Sequence, residues 1–517
     1  MALMWKGGAI GFVWLAVLGI GCWLRLQGLE GLPVHADEAT GARIVAASMD
    51  GTGGGFDPAH FHGPTLPFLG RLAARIAGEE TWRDLNIGTL RMIPALAGCL
   101  VLLLPLLLAR FIGWAGSLFA TALLATSPTL VYYNRIYIHE SILLAVGLFC
   151  IPFLIRFLVA PSVRIGVLVG FGIGLMWATK ITALIIWLSW ALGGLAALAS
   201  VRPICCKGDL LVWIRAAMRP LVMMAGATLA TALFCFSDGF RHPAGFLDGF
   251  KTFFAYTVTE GHDKPFGYFT DFLFRPRMIG PYLDWDGWIL LAIIPGLLLL
   301  LRSTLPASKL RDRKGRGLAL FLLISFCIQF FVYSAIPYKT PWLMLFPVAL
   351  LCLLGPVVWA LLNQINRRAA FVVTTILATG VLLQIPTAYA TSHRLAAHPS
   401  NPRAYVASRH SMESLPALVR DLLGDTGTEK IIVVGNHYWP LPWYLKNFPM
   451  TDYSATLDGN AQSAAVVFCM PDQFADGDAL LRETHILVPR GLRLDYPMVM
   501  YVRNDLWTLY TKQIPHD

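Results

Sequence analysis

"IGFVWLAVLGIGCWLRLQGLEGLPVHADEA", residues 10–39, joins two features that rarely meet in one short stretch. From Ile10 to Leu26 it is apolar apart from Arg25, close to the ~20 residues that cross a bilayer as a helix. A few residues further on it sets two adjacent carboxylates, Asp37 and Glu38, beside His35. No small-residue cleavage site follows the apolar run, so the reading is a retained helix and not a removed leader.

The rest of the chain has the same character. It has 517 residues, of which 56% are hydrophobic and 14% charged; its mean hydropathy is +0.60. Soluble domains carry about a quarter charged residues. The composition excludes a soluble enzyme and predicts an α-helical polytopic membrane protein. Apolar segments of span length lie near 8–26, 90–110, 113–131, 141–159, 164–180, 181–200, 220–237, 287–302, 317–336, 341–362 and 370–390, about eleven in all. One alternate set of loops carries Arg110, Arg156, Arg164, Arg202, Lys207, Arg215, Arg219, Arg302, Lys309, Arg311, Arg313, Lys314, Arg316, Arg367 and Arg368. The positive-inside rule makes these cytoplasmic. With Lys6 also inside, the loops 27–89, 132–140, the turn at 180, 238–286 and 337–340 and the tail fall outside the inner (cytoplasmic) membrane. The net charge of +10 follows from this asymmetry and implies no nucleic-acid partner. The cysteines, Cys205 and Cys206 included, show neither a disulfide framework nor a zinc spacing.

Residues 391–517 read differently. "IIVVG" (431–435), "AVVFC" (465–469), "HILVP" (485–489) and "VMYVR" (499–503) are short strand-like runs, and "SLPALVRDLL" and "GDALLRE" have helical spacing. The expected organisation is a transmembrane domain, 1–390, with outer loops 27–89 and 238–286, followed by a small extracytoplasmic α/β domain.

Chemistry-bearing residues collect in the outer loops. The first loop holds His35, Asp37 and Glu38, then Asp57, His60 and His62. The next holds Arg135, His139 and Glu140; Lys180 marks a helix junction; His262, Asp263 and Lys264 follow, then Tyr338 and Lys339. Acids and isolated cations on one rim suit an anionic head group whose tail lies in the bilayer. If that group is a sugar on a polyprenyl phosphate, the leaving phosphate needs cationic stabilisation, from Lys180 and Lys339, and no general acid. The acceptor hydroxyl needs a base, from Asp37 or Glu38. Plainer readings exist for each residue. Asp37 caps the helix starting at "EATGARIVAASM", with Glu38 in its first turn. Glu140 pairs with Arg135, Lys180 snorkels to the interface, and His60 and His62 are loop histidines. A metal-dependent variant would use His35, Asp37, His60 and His62 as ligands of a divalent ion.

The ordered motifs "HADEA", "FDPAHFHGP", "SPTLVYYNRIYIHES", "ATKITAL", "GHDKPFGYF", "PYKTPWL", "YWPLPWYL" and "YVRNDLW" resemble the GT-C membrane glycosyltransferases. That superfamily includes protein O-mannosyltransferases and lipid A aminoarabinose transferases. The nearest resemblance is to a bacterial and archaeal, flippase-associated subgroup of mannosyltransferase-like proteins. It implies an inverting hexosyl- or pentosyltransferase with a polyprenyl-phosphate-sugar donor and no obligatory cofactor. It implies Asp37 as base, Glu38 beside it, Glu140 as a second acid, and Lys180 and Lys339 near the donor phosphate. His35, Asp57, His62, Arg135, His262, Lys264 and Tyr338 are the remaining candidates for substrate binding. Many of the subgroup carry Asn–Asp where this chain has His139–Glu140. The acceptor, whether lipid, glycan or protein, is left open. The competing function is a lipid-linked-sugar flippase or its accessory; a transporter should carry polar residues through its span centres and show repeats, and here the charges sit at one rim.

Overall fold

The computed structural model describes residues 8–51, 57, 59–201, 207–255, 262–302, 313–424 and 429–513. The loop cations Lys6, Arg202, Lys309 and Arg311 and the pair Cys205–Cys206 lie outside the described residues. The helices up to residue 390 are α1 Gly8–Leu26, α2 Ala36–Met49, α3 Thr65–Ala77, α4 Ile87–Val101, α5 Ala109–Thr126, α6 Pro128–Tyr133, α7 Glu140–Val159, α8 Val163–Trp177, α9 Ala183–Val201, α10 Lys207–Phe236, α11 Gly245–Ala255, α12 Tyr268–Phe274, α13 Leu290–Arg302, α14 Arg313–Ala335, α15 Leu345–Ile365 and α16 Arg367–Tyr389.

The chain divides into two compact units. The first comprises residues 1–29, 53–73 and 91–395, and the second 30–52, 74–90 and 396–517. Parts of the first loop thus group with the tail, where the sequence had suggested one cut near 390.

The first unit is a helical bundle. Among the described residues, seven helical stretches are long and apolar enough to cross a membrane, the first being Ile87–Thr126. The apolar helices Gly11–Leu26, Val163–Trp177 and Asp286–Leu300 are shorter. Lipid is as apolar as leucine, so such helices associate through close packing and hydrogen bonds. The α8–α10 pair shows how the sequence arranges this. Gly166, Gly170 and Gly174 form one stripe, and a Cβ on each would lie 2.4, 2.2 and 2.5 Å from the carbonyl oxygens of Pro220, Met224 and Thr228. The bare backbone lets α10 close in, and the Thr228 hydroxyl donates to Gly170 O at 3.1 Å. On the α9–α14 side, Gln329 Nε2 donates to Ser189 Oγ at 2.9 Å. α15 is the central helix, with 89% of its apolar window buried. Residues 277–284 form a small hairpin, β1 Arg277–Ile279 and β2 Tyr282–Asp284, turning at Gly280 with φ +58°.

The second unit holds a five-stranded sheet in the order β4-β3-β5-β7-β6. Its strands are β3 Ile431–Val434, β4 Thr451–Ser454, β5 Val466–Cys469, β6 His485–Arg493 and β7 Tyr496–Arg503. β3 pairs in parallel with both β4 and β5, while β5–β7 and β6–β7 are antiparallel. Every residue of β3 and β5 is buried, which is why they read as unbroken apolar runs. The expected strands and helices of the tail are all present; β4 and the helix Asn504–Gln513 are additions.

Candidate active site

In the second unit, the first-loop carboxylates divide their duties. α2 begins after His35, whose Nδ1 accepts the backbone N–H of Asp37 at 3.1 Å. Glu38 Oε2 accepts the backbone N–H of His35 at 2.9 Å, closing a capping box with histidine in the place of serine or threonine. Nδ1 as acceptor sets the Nε2–H tautomer, and Nε2–H then donates to Tyr405 O at 2.9 Å. One expectation is therefore reversed: the cap is His35 and not Asp37, while Glu38, fully buried, sits in the first turn as expected. The Asp37 side chain is left 54% exposed, 4.0 Å from His35 Nδ1.

The tail holds this turn from beneath. The Tyr444 hydroxyl accepts Val34 N–H at 2.8 Å and donates to Glu413 Oε1 at 2.7 Å. The Ser408 hydroxyl donates to Val34 O at 2.5 Å. Between Tyr405 and Ser408, Val406 takes φ +53°, an outlier for a β-branched residue. Such strain persists where the surroundings over-determine it, a common feature of functional sites. The "YWPLPWYL" motif thus supplies Tyr444 as an anchor for "VHADEA".

Replacing Glu38 by glutamine should leave melting and turnover near the parent values, since glutamine serves the same box. Glu38→Ala should cost about 1 kcal/mol of stability. A large loss of turnover in Glu38→Gln with normal melting would return Glu38 to the chemistry.

In the first unit, the candidates gather at helix ends. Glu140 opens α7, where a carboxylate suits the helix dipole. Lys180 stands in the break between α8 and α9, and its ammonium donates to Glu140 Oε1. The Lys180 and Glu140 side chains are 3% and 6% exposed, so this is a buried ion pair and not a snorkelling lysine. His62 and His139 lie edge to face at 5.3 Å beside it. Burial, then the Lys180 charge, pushes His139 down to about 3, and the same causes hold His62 well below the usual imidazole value. Both rings are neutral at pH 7. Local backbone explains how His62 arrives there. Thr65 N and Oγ1 both donate to Ala178 O, at 3.1 and 2.8 Å. A Cβ on Gly63 would lie 2.0 Å from that oxygen, so the loop needs glycine to seat against the α8 end.

Arg135 does not pair with Glu140. Its Nη1 donates to Leu24, Arg25 and Gln27 oxygens at 3.2, 3.2 and 2.6 Å, and Nη2 to Gly28 O at 3.1 Å. It caps the C-terminal carbonyls of α1, a structural duty.

His262, Lys264, Tyr338 and Lys339 do meet. The two loops pair through an Asp263–Tyr338 bridge, Lys339 N donates to His262 O at 3.0 Å, and the His262 and Tyr338 rings lie 5.0 Å apart. The buried Lys339 ammonium donates to Lys264 O at 2.9 Å and to Ile336 O, clamping the loops together. Asp57 and His60 form an exposed pair at 2.8 Å. The Ala59 N–H, then the His60 ring, holds the Asp57 carboxyl below its usual range.

Both nitrogens of His35 are engaged, His60 is turned to Asp57, and among the described residues no group of three or more His, Cys, Asp or Glu is placed to hold an ion. Sequence reasoning missed Tyr405, Tyr444 and Ser408; the "YWPLPWYL" motif carried the signal for Tyr444 alone.

The seven long apolar helical stretches make this a multi-pass membrane protein, and its fold is shared with solved structures. Among solved structures, the chain is similar to ArnT from Cupriavidus metallidurans bound to undecaprenyl phosphate, with a TM-score of 0.61 at 15% identity, covering 96% of this chain and 99% of that one. It is also similar to the Archaeoglobus fulgidus oligosaccharyltransferase in the apo form, with a TM-score of 0.53 at 12% identity, covering 97% and 77%. No protein-family model matches the chain, and no curated protein matches it in sequence. At such identities the likeness establishes the fold.

Proposed function

We propose that this protein transfers a sugar from a polyprenyl-phosphate-sugar donor to an acceptor hydroxyl on the outer face of the cytoplasmic membrane, with inversion. The observation that carries the reading is the division of labour in "HADEA". His35 and Glu38 cap the helix, and Asp37 is left with an uncommitted, half-exposed carboxylate at its first turn. The GT-C fold and the undecaprenyl phosphate held by the similar ArnT structure support the donor class.

In this reading Asp37 takes the proton from the acceptor hydroxyl as that oxygen attacks the anomeric carbon, and the bond to the phosphate breaks. A positioned base contributes typically about 10² to 10⁴-fold. The leaving phosphate is stabilised by positive charge. Lys180 is the candidate, since an ammonium has three N–H donors and Glu140 holds it in place. His62 and His139, both neutral, add no competing charge. Lys339, Lys264, Tyr338 and His262 form a second polar face of the first unit and are assigned to the donor head group. His35 is a positioning residue, because its ring fixes the start of α2. Arg135, Glu38 and the exposed Asp57–His60 pair are left out of the chemistry.

The test is turnover by purified protein with a panel of polyprenyl-phosphate sugars, read as release of polyprenyl phosphate. At least one donor should be consumed in the presence of acceptor extract. Consumption of none, by protein that melts cooperatively, contradicts the proposal.

A further inference from the structure

The tail carries a second constellation that this chemistry does not use. β3 has parallel partners on both sides, so the β3-to-β4 and β4-to-β5 connections place strands on opposite flanks of it. The carboxyl edge at such a switch point is where α/β sheets open a ligand crevice. There the chain leaves β3 through Gly435, φ +104°, where a Cβ would lie 2.6 Å from Asp472 Oδ1. His437 follows in a strained φ of +62°. Asn436 is clamped meanwhile, its backbone N and Nδ2 donating to Asp472 Oδ2 at 3.0 and 3.1 Å.

This sharp bend puts aromatic rings along the edge. Tyr438 lies 5.2 Å from Tyr453, which is 39% exposed. The Tyr496 hydroxyl donates to Asn436 O at 3.3 Å, and the Arg493 guanidinium sits 4.6 Å over the Tyr496 ring. Arg493 is 9% exposed, its Nη1 held by the oxygens of His437 and Trp439 at 3.0 and 2.8 Å. Its Nε is buried with no hydrogen-bond partner among the described residues. Arg493 also bridges to Ser408, whose hydroxyl holds Val34. One continuous band therefore runs from Tyr453 and Tyr438, past Asn436 and Tyr496, to Arg493 and the turn that presents Asp37.

We infer that this band binds the acceptor, and that the acceptor is a glycan. Sugars present apolar C–H faces ringed by hydroxyls. Half-exposed tyrosine rings match the faces, and the fixed Asn436–Asp472 pair and the Arg493 donor match the hydroxyls. A lipid acceptor would call for an apolar groove, and a helical peptide for apolar pockets at helical spacing. The direction of transfer rests on the reading of Asp37 as base; the binding itself does not.

The test uses the full chain in lipid nanodiscs, with mannopentaose, maltopentaose and chitopentaose as probes, titrated and read by saturation-transfer NMR. At least one glycan should bind at millimolar concentration or below. Tyr453→Ala should weaken it about tenfold, as expected for loss of one ring contact. Phe254→Ala, an exposed ring elsewhere, should change nothing. Should Tyr453→Ala melt early, Tyr453→Leu, which keeps bulk but loses the ring, decides. Asp37→Asn should bind glycan like the parent, so a failed base assignment and a failed glycan site give different results. Absence of binding by all three probes at about 10 mM overturns the inference. So does binding indifferent to Tyr453 and Tyr496 substitution, or capture at these residues of a serine/threonine peptide and no glycan.

Discussion

Asp37→Asn should reduce transfer by about 10² or more while leaving the melting curve unchanged. The expectation of unchanged stability comes from the cap. The Asp37 backbone N–H, kept in asparagine, is what His35 accepts, and the second half of the box belongs to Glu38. The carboxylate itself approaches His35 at 4.0 Å and makes no closer ion pair among the described residues. The substitution removes a base and little else. Transfer rates at saturating donor and acceptor, set beside melting in detergent, check this. Retention of most turnover would move the base to Glu140. A drop in melting with a matching drop in activity would make Asp37 structural.

Lys180→Met should destabilise the protein by about 3–5 kcal/mol, because it strands the Glu140 carboxylate in a buried place without its partner. Glu140→Gln combined with Lys180→Met should restore most of that loss, since removing both charges of a buried pair is often close to neutral. The double variant also separates structure from chemistry. Parent-like melting with donor turnover still lost assigns Lys180 to the phosphate; parent-like melting with turnover intact removes it from the site. A Lys180→Met single variant that melts like the parent would show that the pair contributes no stability. Lys180→Arg keeps the charge but brings a planar fork, so partial function is expected.

The sequence made the bundle legible because the bilayer imposes composition on every helix that crosses it, and each expected segment overlaps a helix. The break between Trp177 and Ala183 sits inside a nearly continuous apolar stretch, and a lone lysine was its marker. Partner choice was less legible. Aspartate is a common helix cap and histidine is not, so "HADEA" pointed to Asp37. What enables His35 is a tautomer fixed by the Tyr405 carbonyl, 370 positions away. Arg135 was read against its neighbour in sequence, yet its partners are carbonyls 107 to 111 positions away. β4, "TDYS", is a polar edge strand held in place by pairing with β3, and nothing apolar announces it. The candidate residues were thus visible as a set, while their division into chemistry and scaffold needed the fold.

A single displacement with Asp37 as the one base is read directly from the anomeric configuration of the product. With any accepted donor of defined anomer, proton NMR of the first-formed product reads the new glycosidic linkage. The product should carry the opposite anomer to that of the donor, with the signal lost in Asp37→Asn. A product of retained configuration would require a covalent sugar–enzyme intermediate or a second displacement, and would contradict it.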